Sequence, residues 1–239
     1  MIMKLIAHRA GTDKYPEQSM AAVRFSLSQG ADMAEIDVRL TRDGVPVICH
    51  DDNVERVYGV NSLVGDMTLT EFLSLRNRHD PAVATYTLAM ALEQQLRPLL
   101  LHVKCDNRAQ WPVILDTIRR YGAQEHVVLG IGDPGAVALI KAFDPRLRVL
   151  AFMHGLEDLD DFLATPCEYI RLWEYWLTQA DLDRVHARGK EVWVMSGAYD
   201  TVGYTDWANL RRWEAMGVDR VLINEILKGL AYMKGGDAP

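Results

Sequence analysis

The chain has 239 residues, of which 49% are hydrophobic and 25% charged, the composition of a globular fold and not of a disordered or fibrous chain. No apolar run approaches the ~20 residues of a membrane span. With 33 acidic against 26 basic side chains the net charge is −7, which argues against general binding to nucleic acid or to an anionic membrane.

The opening run, Met1 to His8, turns polar too early for a secretory signal. Met3–Ala7 within it reads as a short strand. Met20, Val23 and Leu27 make one stripe of a helix over Gln18–Gln29 that stops at Gly30. A strand over Met33–Leu40 follows, then the turn Thr41-Arg42-Asp43-Gly44, then an extended run, Val45–Cys49, whose Pro46 fits an edge or a strand start. Further strands are expected at Pro98–Val103, His126–Ile131, Leu147–Phe152, Glu168–Leu172, Glu191–Met195 and Asp219–Ile223. Helices are expected between them at Arg108–Tyr121, Pro134–Phe143, Glu157–Leu163, Thr178–Ala187 and Thr205–Met216. Gly122, Gly189 and Gly217 stand where helices need a residue of positive φ to end, and Asp133-Pro134 and Thr178 look like helix starts. With helices over Thr87–Gln95 and Glu225–Met233 the count reaches eight strand–helix units. That is the arithmetic of an α/β fold of (β/α)8 TIM-barrel type in one domain over 1–239; an open doubly wound sheet is the alternative. Cys49, Cys105 and Cys167 are too few and too far apart for a disulfide framework or a CxxC clip, so a reducing cytoplasm is the expected setting.

In a barrel, polar residues at the C-terminal strand ends line one mouth. Those residues here are His8-Arg9, Glu35 and Asp37, His50-Asp51, His102 and Lys104, Trp173-Glu174, Trp193 and Ser196, and Asn224. Glu35 and Asp37 are two apart on a strand, so they share a face roughly 6–7 Å apart. Burying two like charges so close is costly, and a hard divalent cation such as Mg²⁺ or Ca²⁺ resolves the cost; two ordinary surface acids on an edge strand are the other reading. His8 and His50 can divide general-base and general-acid work near neutral pH. Arg9 and Lys104 supply cations for a phosphate or carboxylate oxygen. Together these residues suggest metal-assisted hydrolysis of an anionic ester.

Four consecutive motifs carry a family likeness. His8-Arg9-Ala10-Gly11, Pro16-Glu17-Gln18-Ser19, the run from Gly30 to Gly44, and Val47-Ile48-Cys49-His50-Asp51 resemble the glycerophosphodiester phosphodiesterase family, whose pattern runs HRG, PEN(T/S), GAD-x-x-E-x-DV-x-x-T-x-DG and V-x-x-HD. The resemblance is dense over residues 6–56 and thinner beyond. It implies a (β/α)8 barrel, one divalent metal ion (Mg²⁺ or Ca²⁺), and hydrolysis of a small phosphodiester to an alcohol and a phosphomonoester such as glycerol 3-phosphate. Carried over by position, His8 and His50 are the acid–base pair, Arg9 contacts the phosphate, Glu17 is a polar residue of the mouth, Glu35 and Asp37 bind metal, and Trp193 walls the substrate.

The departures from that pattern are informative. The family has Glu-x-Lys at the third strand end, where this chain has His102-Val103-Lys104. An imidazole ligand removes one negative charge and favours Mn²⁺, Co²⁺ or Zn²⁺. It also ties metal affinity to pH, with loss expected as pH falls through ~6.5. Alternatively Glu174 substitutes, or the metal is lost. Ala10 replaces a glycine, which requires a negative φ there. Trp193-Val194-Met195-Ser196 and Ile223-Asn224-Glu225 replace Trp-Thr-Val-Asn and Thr-Asp. Two other functions remain open on these residues: a lyase-type reaction giving a cyclic phosphate, and a catalytically impaired barrel that binds a phosphoryl ligand. The large aromatics of the C-terminal half, Trp173, Tyr175, Trp176, Tyr199, Tyr204, Trp207 and Trp213 among them, are expected mainly in packing, with a minority walling a pocket.

Overall fold

The computed structural model describes residues 2–105, 107–198 and 200–236. Nine strands form one sheet: β1 (Lys4–Ala7), β2 (Met33–Leu40), β3 (Pro46–Ile48), β4 (Leu99–Val103), β5 (Val127–Ile131), β6 (Arg148–Ala151), β7 (Tyr169–Trp173), β8 (Glu191–Met195) and β9 (Arg220–Ile223). Eight of them are parallel, each beside its successor. The sheet closes where β1 pairs both with β9, in the register Ala7↔Ile223, and with β2, in the register Ala7↔Ala34. The fold is therefore the barrel and not the open sheet. The remaining strand, β3, adds antiparallel to the far end of β2, and Pro46 opens it opposite Leu40, where a missing N–H costs least.

The helices are α1 (Met20–Gln29), α2 (Glu55–Tyr58), α3 (Leu69–Ser74), α4 (Leu88–Glu93), α5 (Trp111–Arg120), α6 (Pro134–Phe143), α7 (Leu159–Leu163), α8 (Gln179–His186), α9 (Ala208–Met216) and α10 (Ile226–Met233). Their starts follow side-chain chemistry. The Ser19 hydroxyl accepts from Ala22 N, Thr178 from Asp181 N, and the Asp133 carboxylate from Gly135 N with Pro134 as first helical residue. Short α2 and α3 belong to an excursion between β3 and α4 that the helical pattern did not mark. It has its own small core of Val47, Cys49, Val54, Val64, Met67, Phe72 and Leu75.

Two apolar layers make the barrel. The outward faces of the strands pack against the helices around Ile36, Leu99, Leu101, Ile114, Val149 and Trp213. The inward faces fill the barrel with Ile6, Met33, Leu100, Val128, Leu150, Tyr169, Trp193 and Leu222. That plug sets the floor on which the polar residues stand.

Candidate active site

Alternation along a strand carries the inward face from floor to mouth in steps of two residues. Above Ile6 comes His8; above Met33 come Glu35 and Asp37; above Leu100 come His102 and Lys104; above Leu222 comes Asn224. The barrel thus gathers four of its strand ends into one polar group.

Glu35 and Asp37 are buried, 1% and 0% exposed. His102 Nδ1 lies 2.9 Å from Asp37 Oδ1 and 3.9 Å from Glu35 Oε1, and Lys104 Nζ lies 3.2 Å from Asp37 Oδ1. One ligand atom from each of Glu35, Asp37 and His102 falls within 4.8 Å of the others, the spacing of a group that could hold a metal ion. The Asp37 carboxylate is divided between two settings. Its Oδ2 accepts from Gln18 Nε2 at 2.5 Å, while Asp37 N donates to Gln18 Oε1 at 3.1 Å. Its Oδ1 is buried and receives no well-directed hydrogen bond. An anionic oxygen in that state suits a cation, so the donor set fits a divalent ion.

Burial and the neighbouring Asp37 charge raise Glu35 well above the usual carboxylate range. Burial acts on Asp37 in the same direction, but Lys104 and His102 outweigh it and hold Asp37 well below that range. Burial, opposed by Asp37, brings His102 down to about 4. Its ring therefore stays neutral far below the ~6.5 of a free imidazole, and the pH threshold expected for it moves down accordingly. Phe152 holds the ring in place by stacking at 4.1 Å between centroids. That contact needs Gly130 beneath it, because a Cβ there would meet the Phe152 ring at 2.7 Å.

His8 is buried, and its Nδ1 lies 2.7 Å from Asn224 Oδ1. Asn224 Nδ2 donates to Val202 O at 2.9 Å, so Oδ1 is the oxygen and His8 Nδ1 carries the proton. Nε2 is left with its lone pair. Burial and the adjacent Arg9 cation lower His8 to about 3. The loop beside Asn224 comes this close because Gly203 has φ +84° and no side chain; a Cβ there would meet Asn224 Oδ1 at 2.2 Å.

Arg9 sits in a turn of three consecutive left-handed residues: Arg9 at φ 49°, Ala10 at 69° and Gly11 at 82°. The negative φ required of Ala10 is thus not what the chain adopts. The turn points Arg9 N at Glu35 Oε2, 2.6 Å away, and is held by Gly11 N→His8 O, Gln18 N→Arg9 O and Ser26 Oγ→Ala10 O. Left-handed geometry costs roughly 1–2 kcal/mol per non-glycine residue, which these bonds offset. The Arg9 guanidinium donates to Glu17 Oε2 at 3.2 Å and to His50 Nε2 at 2.9 Å. His50 Nδ1 donates to Asp51 Oδ1 at 2.7 Å. Arg56 completes a ring, donating to Asp51 Oδ2 at 2.6 Å and to Glu17 Oε1.

Of the expected site residues, His8, Arg9, Glu17, Glu35, Asp37, His50, His102 and Lys104 are brought together. Trp193 is not. It is fully buried in the barrel floor, stacked on Tyr169 at 4.7 Å and donating Nε1–H to Glu191, so it presents no wall to the mouth. Glu174 does not substitute at the acidic group either: its two oxygens accept from Gly197 N and Asn209 Nδ2. Trp213 is core, whereas Tyr175 and Tyr204 are exposed and border a cavity of about 430 Å³ with Glu174 and Asp206. Tyr199 lies outside the described residues. Gln18, Asp51, Arg56, Phe152 and Asn224 had no assigned role. Gln18 had a signal, standing where the family pattern has asparagine, and Asp51 adjoins His50; Arg56 and Phe152 had none.

Residues 8–150 match the sequence model described as the glycerophosphoryl diester phosphodiesterase family. The chain is 25% identical over 175 residues to a glycerophosphodiester phosphodiesterase of Bacillus altitudinis, covering 68% of this chain and 71% of that one. It is 44% identical over 69 residues to a mouse lysophospholipase D, covering 29% of this chain and 21% of that one. The structure of an Oleispira antarctica phosphodiesterase in complex with the product sn-glycerol-3-phosphate superposes with a TM-score of 0.82 at 21% identity, over 98% of each chain.

Proposed function

The chain belongs to the glycerophosphoryl diester phosphodiesterase family, whose sequence model spans residues 8–150 of it, and from that premise we propose that it hydrolyses a glycerophosphodiester, or a related small phosphodiester, to an alcohol and a phosphomonoester. One observation carries the reading. Arg9 follows His8 directly, donates its backbone N–H to Glu35, and donates its guanidinium to His50. A single residue therefore ties both histidines to the acidic group.

His8 is the base: its Nδ1 proton is committed to Asn224, and burial keeps Nε2 unprotonated at neutral pH. His50 is the acid: Asp51 fixes its Nδ1–H, and once Arg9 turns from Nε2 to the phosphoryl oxygens that nitrogen takes up a proton, in an imidazolium that Asp51 stabilises, and passes it to the leaving oxygen. Arg9 and Lys104, paired in the free protein with Glu17 and Asp37, turn to the phosphoryl oxygens as charge builds there. Glu35, Asp37 and His102 would hold one divalent cation, Mg²⁺ or Ca²⁺ by their carboxylates and Mn²⁺, Co²⁺ or Zn²⁺ by the imidazole. When bound it polarises a phosphoryl oxygen as a Lewis acid. Phosphorus NMR of a glycerophosphodiester incubated with the protein and each metal tests this reading. A phosphomonoester signal that EDTA abolishes is expected. A cyclic phosphate would move the assignment to the lyase-type reaction, and no product with any metal would leave a phosphoryl-binding barrel.

A further inference from the structure

Arg171 lies in an otherwise apolar strand, β7, on the inward face between Tyr169 and Trp173. It is 4% exposed. Its one protein hydrogen bond runs from Nη2 to Met153 O at 2.9 Å; Nε and Nη1 meet neither an acceptor nor solvent. No carboxylate answers its charge among the described residues. Instead the guanidinium is surrounded by rings, with its Cζ 4.9 Å from the Phe152 centroid, 4.8 Å from Trp173 and 5.5 Å from Trp176. Burial without a counter-ion pulls it down to about 9. Arginine is seldom buried without a partner, and aromatic faces offset only part of the lost hydration.

Its place in the barrel says where the missing partner comes from. Phe152, which Arg171 overlies, is the same ring that stacks on His102. Arg171 is therefore one aromatic ring away from the acidic group, at the same level of the barrel. Arg9 and Lys104 are already ion-paired; Arg171 is a buried cation held ready with two unused donors. We propose that Arg171 binds an anionic oxygen of the phosphoryl group, from the side of the mouth opposite Arg9. This rests on the phosphodiesterase reading for the identity of the anion, though not for the site. Of the three rings around it, Trp173 stands at the mouth end of the same strand and is only half-buried, so the phosphoryl group reaches the guanidinium by displacing that indole. Nε–H and the Nη1 N–H groups are free to donate to phosphoryl oxygens, with a delocalised cation behind them.

The test uses inorganic phosphate as probe, titrated calorimetrically into the intact protein and into Arg171→Met and Arg171→Lys, alongside turnover of a glycerophosphodiester. Methionine preserves the apolar packing, and lysine preserves the charge without the guanidinium. Expected are phosphate binding weakened at least tenfold in Arg171→Met, a partial return in Arg171→Lys, and a matching rise in KM for the diester with a smaller change in kcat. Should Arg171→Met fail to fold, Arg171→Lys alone decides: affinity below that of the parent supports the contact, and equal affinity removes it. Parent-like phosphate binding in a folded Arg171→Met overturns the proposal while leaving the phosphodiesterase reading intact. Phosphate binding that depends on Arg171 in a protein without diester turnover supports the contact and overturns that reading instead.

Discussion

His8 and its partner set the behaviour of the site at the scale of single residues. Asn224 orients the imidazole and, being neutral, favours its charged form less than burial and Arg9 disfavour it, so the ring stays unprotonated. Asn224→Asp puts a carboxylate at the same 2.7 Å contact, which raises His8 by about 1–3 units. The free base exists only above that pKa, so the acidic limb of the kcat/KM profile should move to higher pH; an unmoved limb would show that His8 is not the group titrating. Removing either imidazole is a blunter change. His8→Ala and His50→Ala should each lower kcat by at least about a hundredfold, the range for a lost general acid or base, with the circular dichroism spectrum unchanged. Near-normal turnover in either variant would reassign that histidine.

Two elements act on the site from outside it. The excursion between β3 and α4 reaches back through Arg56 on α2, whose guanidinium spans Asp51 and Glu17 and so braces both His50 and Arg9. Arg56 is half exposed, and exposed ion pairs contribute only about 0–1 kcal/mol to folding. Arg56→Gln should therefore leave the melting temperature nearly unchanged while lowering kcat/KM roughly tenfold or more; Arg56→Lys should not restore it, since a point charge cannot span two carboxylates. Unchanged kinetics in Arg56→Gln would reduce the ring to surface pairing. Strand β5 contributes by omission. Gly130 gives Phe152 its place against His102, and the added methyl of Gly130→Ala would meet that ring at 2.7 Å. Overpacking of this kind costs about 1–3 kcal/mol, and the displaced ring no longer holds the imidazole. Divalent-metal affinity, followed by calorimetry, should fall in Gly130→Ala, and an unaltered affinity would detach Phe152 from the metal group.

For the molecule as a whole, the buried acidic pair is a liability that a cation held by Glu35, Asp37 and His102 would relieve. Ligand binding to the folded state alone, at a hundred times Kd, adds about 2.7 kcal/mol. For a chain of this length that corresponds to a rise in Tm of roughly 5–10 °C. A thermal scan with and without divalent metal should show the rise, EDTA should reverse it, and Asp37→Asn should abolish it. A metal-induced rise that survives Asp37→Asn would place the ion elsewhere. No helix among the described residues is long and apolar enough to cross a membrane.

Local chemistry was legible along the chain. Hydrophobic period, helix-ending glycines and cap residues located every barrel strand within two residues at each end, because these signals act between neighbours along the chain. Alternation put Glu35 with Asp37 and His102 with Lys104 on single faces, and the dense motif run over residues 6–56 marked six residues that the barrel brings together: His8, Arg9, Glu17, Glu35, Asp37 and His50. Tertiary structure decided whatever depends on which distant strands meet and at what height. Closure of β1 on both β2 and β9 brought His8 to Asn224, 216 residues away. Register sank Trp193 into the floor although its place at a late strand suggested the mouth. The left-handed turn at Ala10 followed from the demand that Arg9 N face Glu35. The lone arginine inside the apolar strand Tyr169–Trp173 was visible in the sequence, but its lack of a counter-ion was not. A side chain's face is a property of its own strand; its partners are set by strand order, tilt and register around the closed barrel, which residue spacing does not encode.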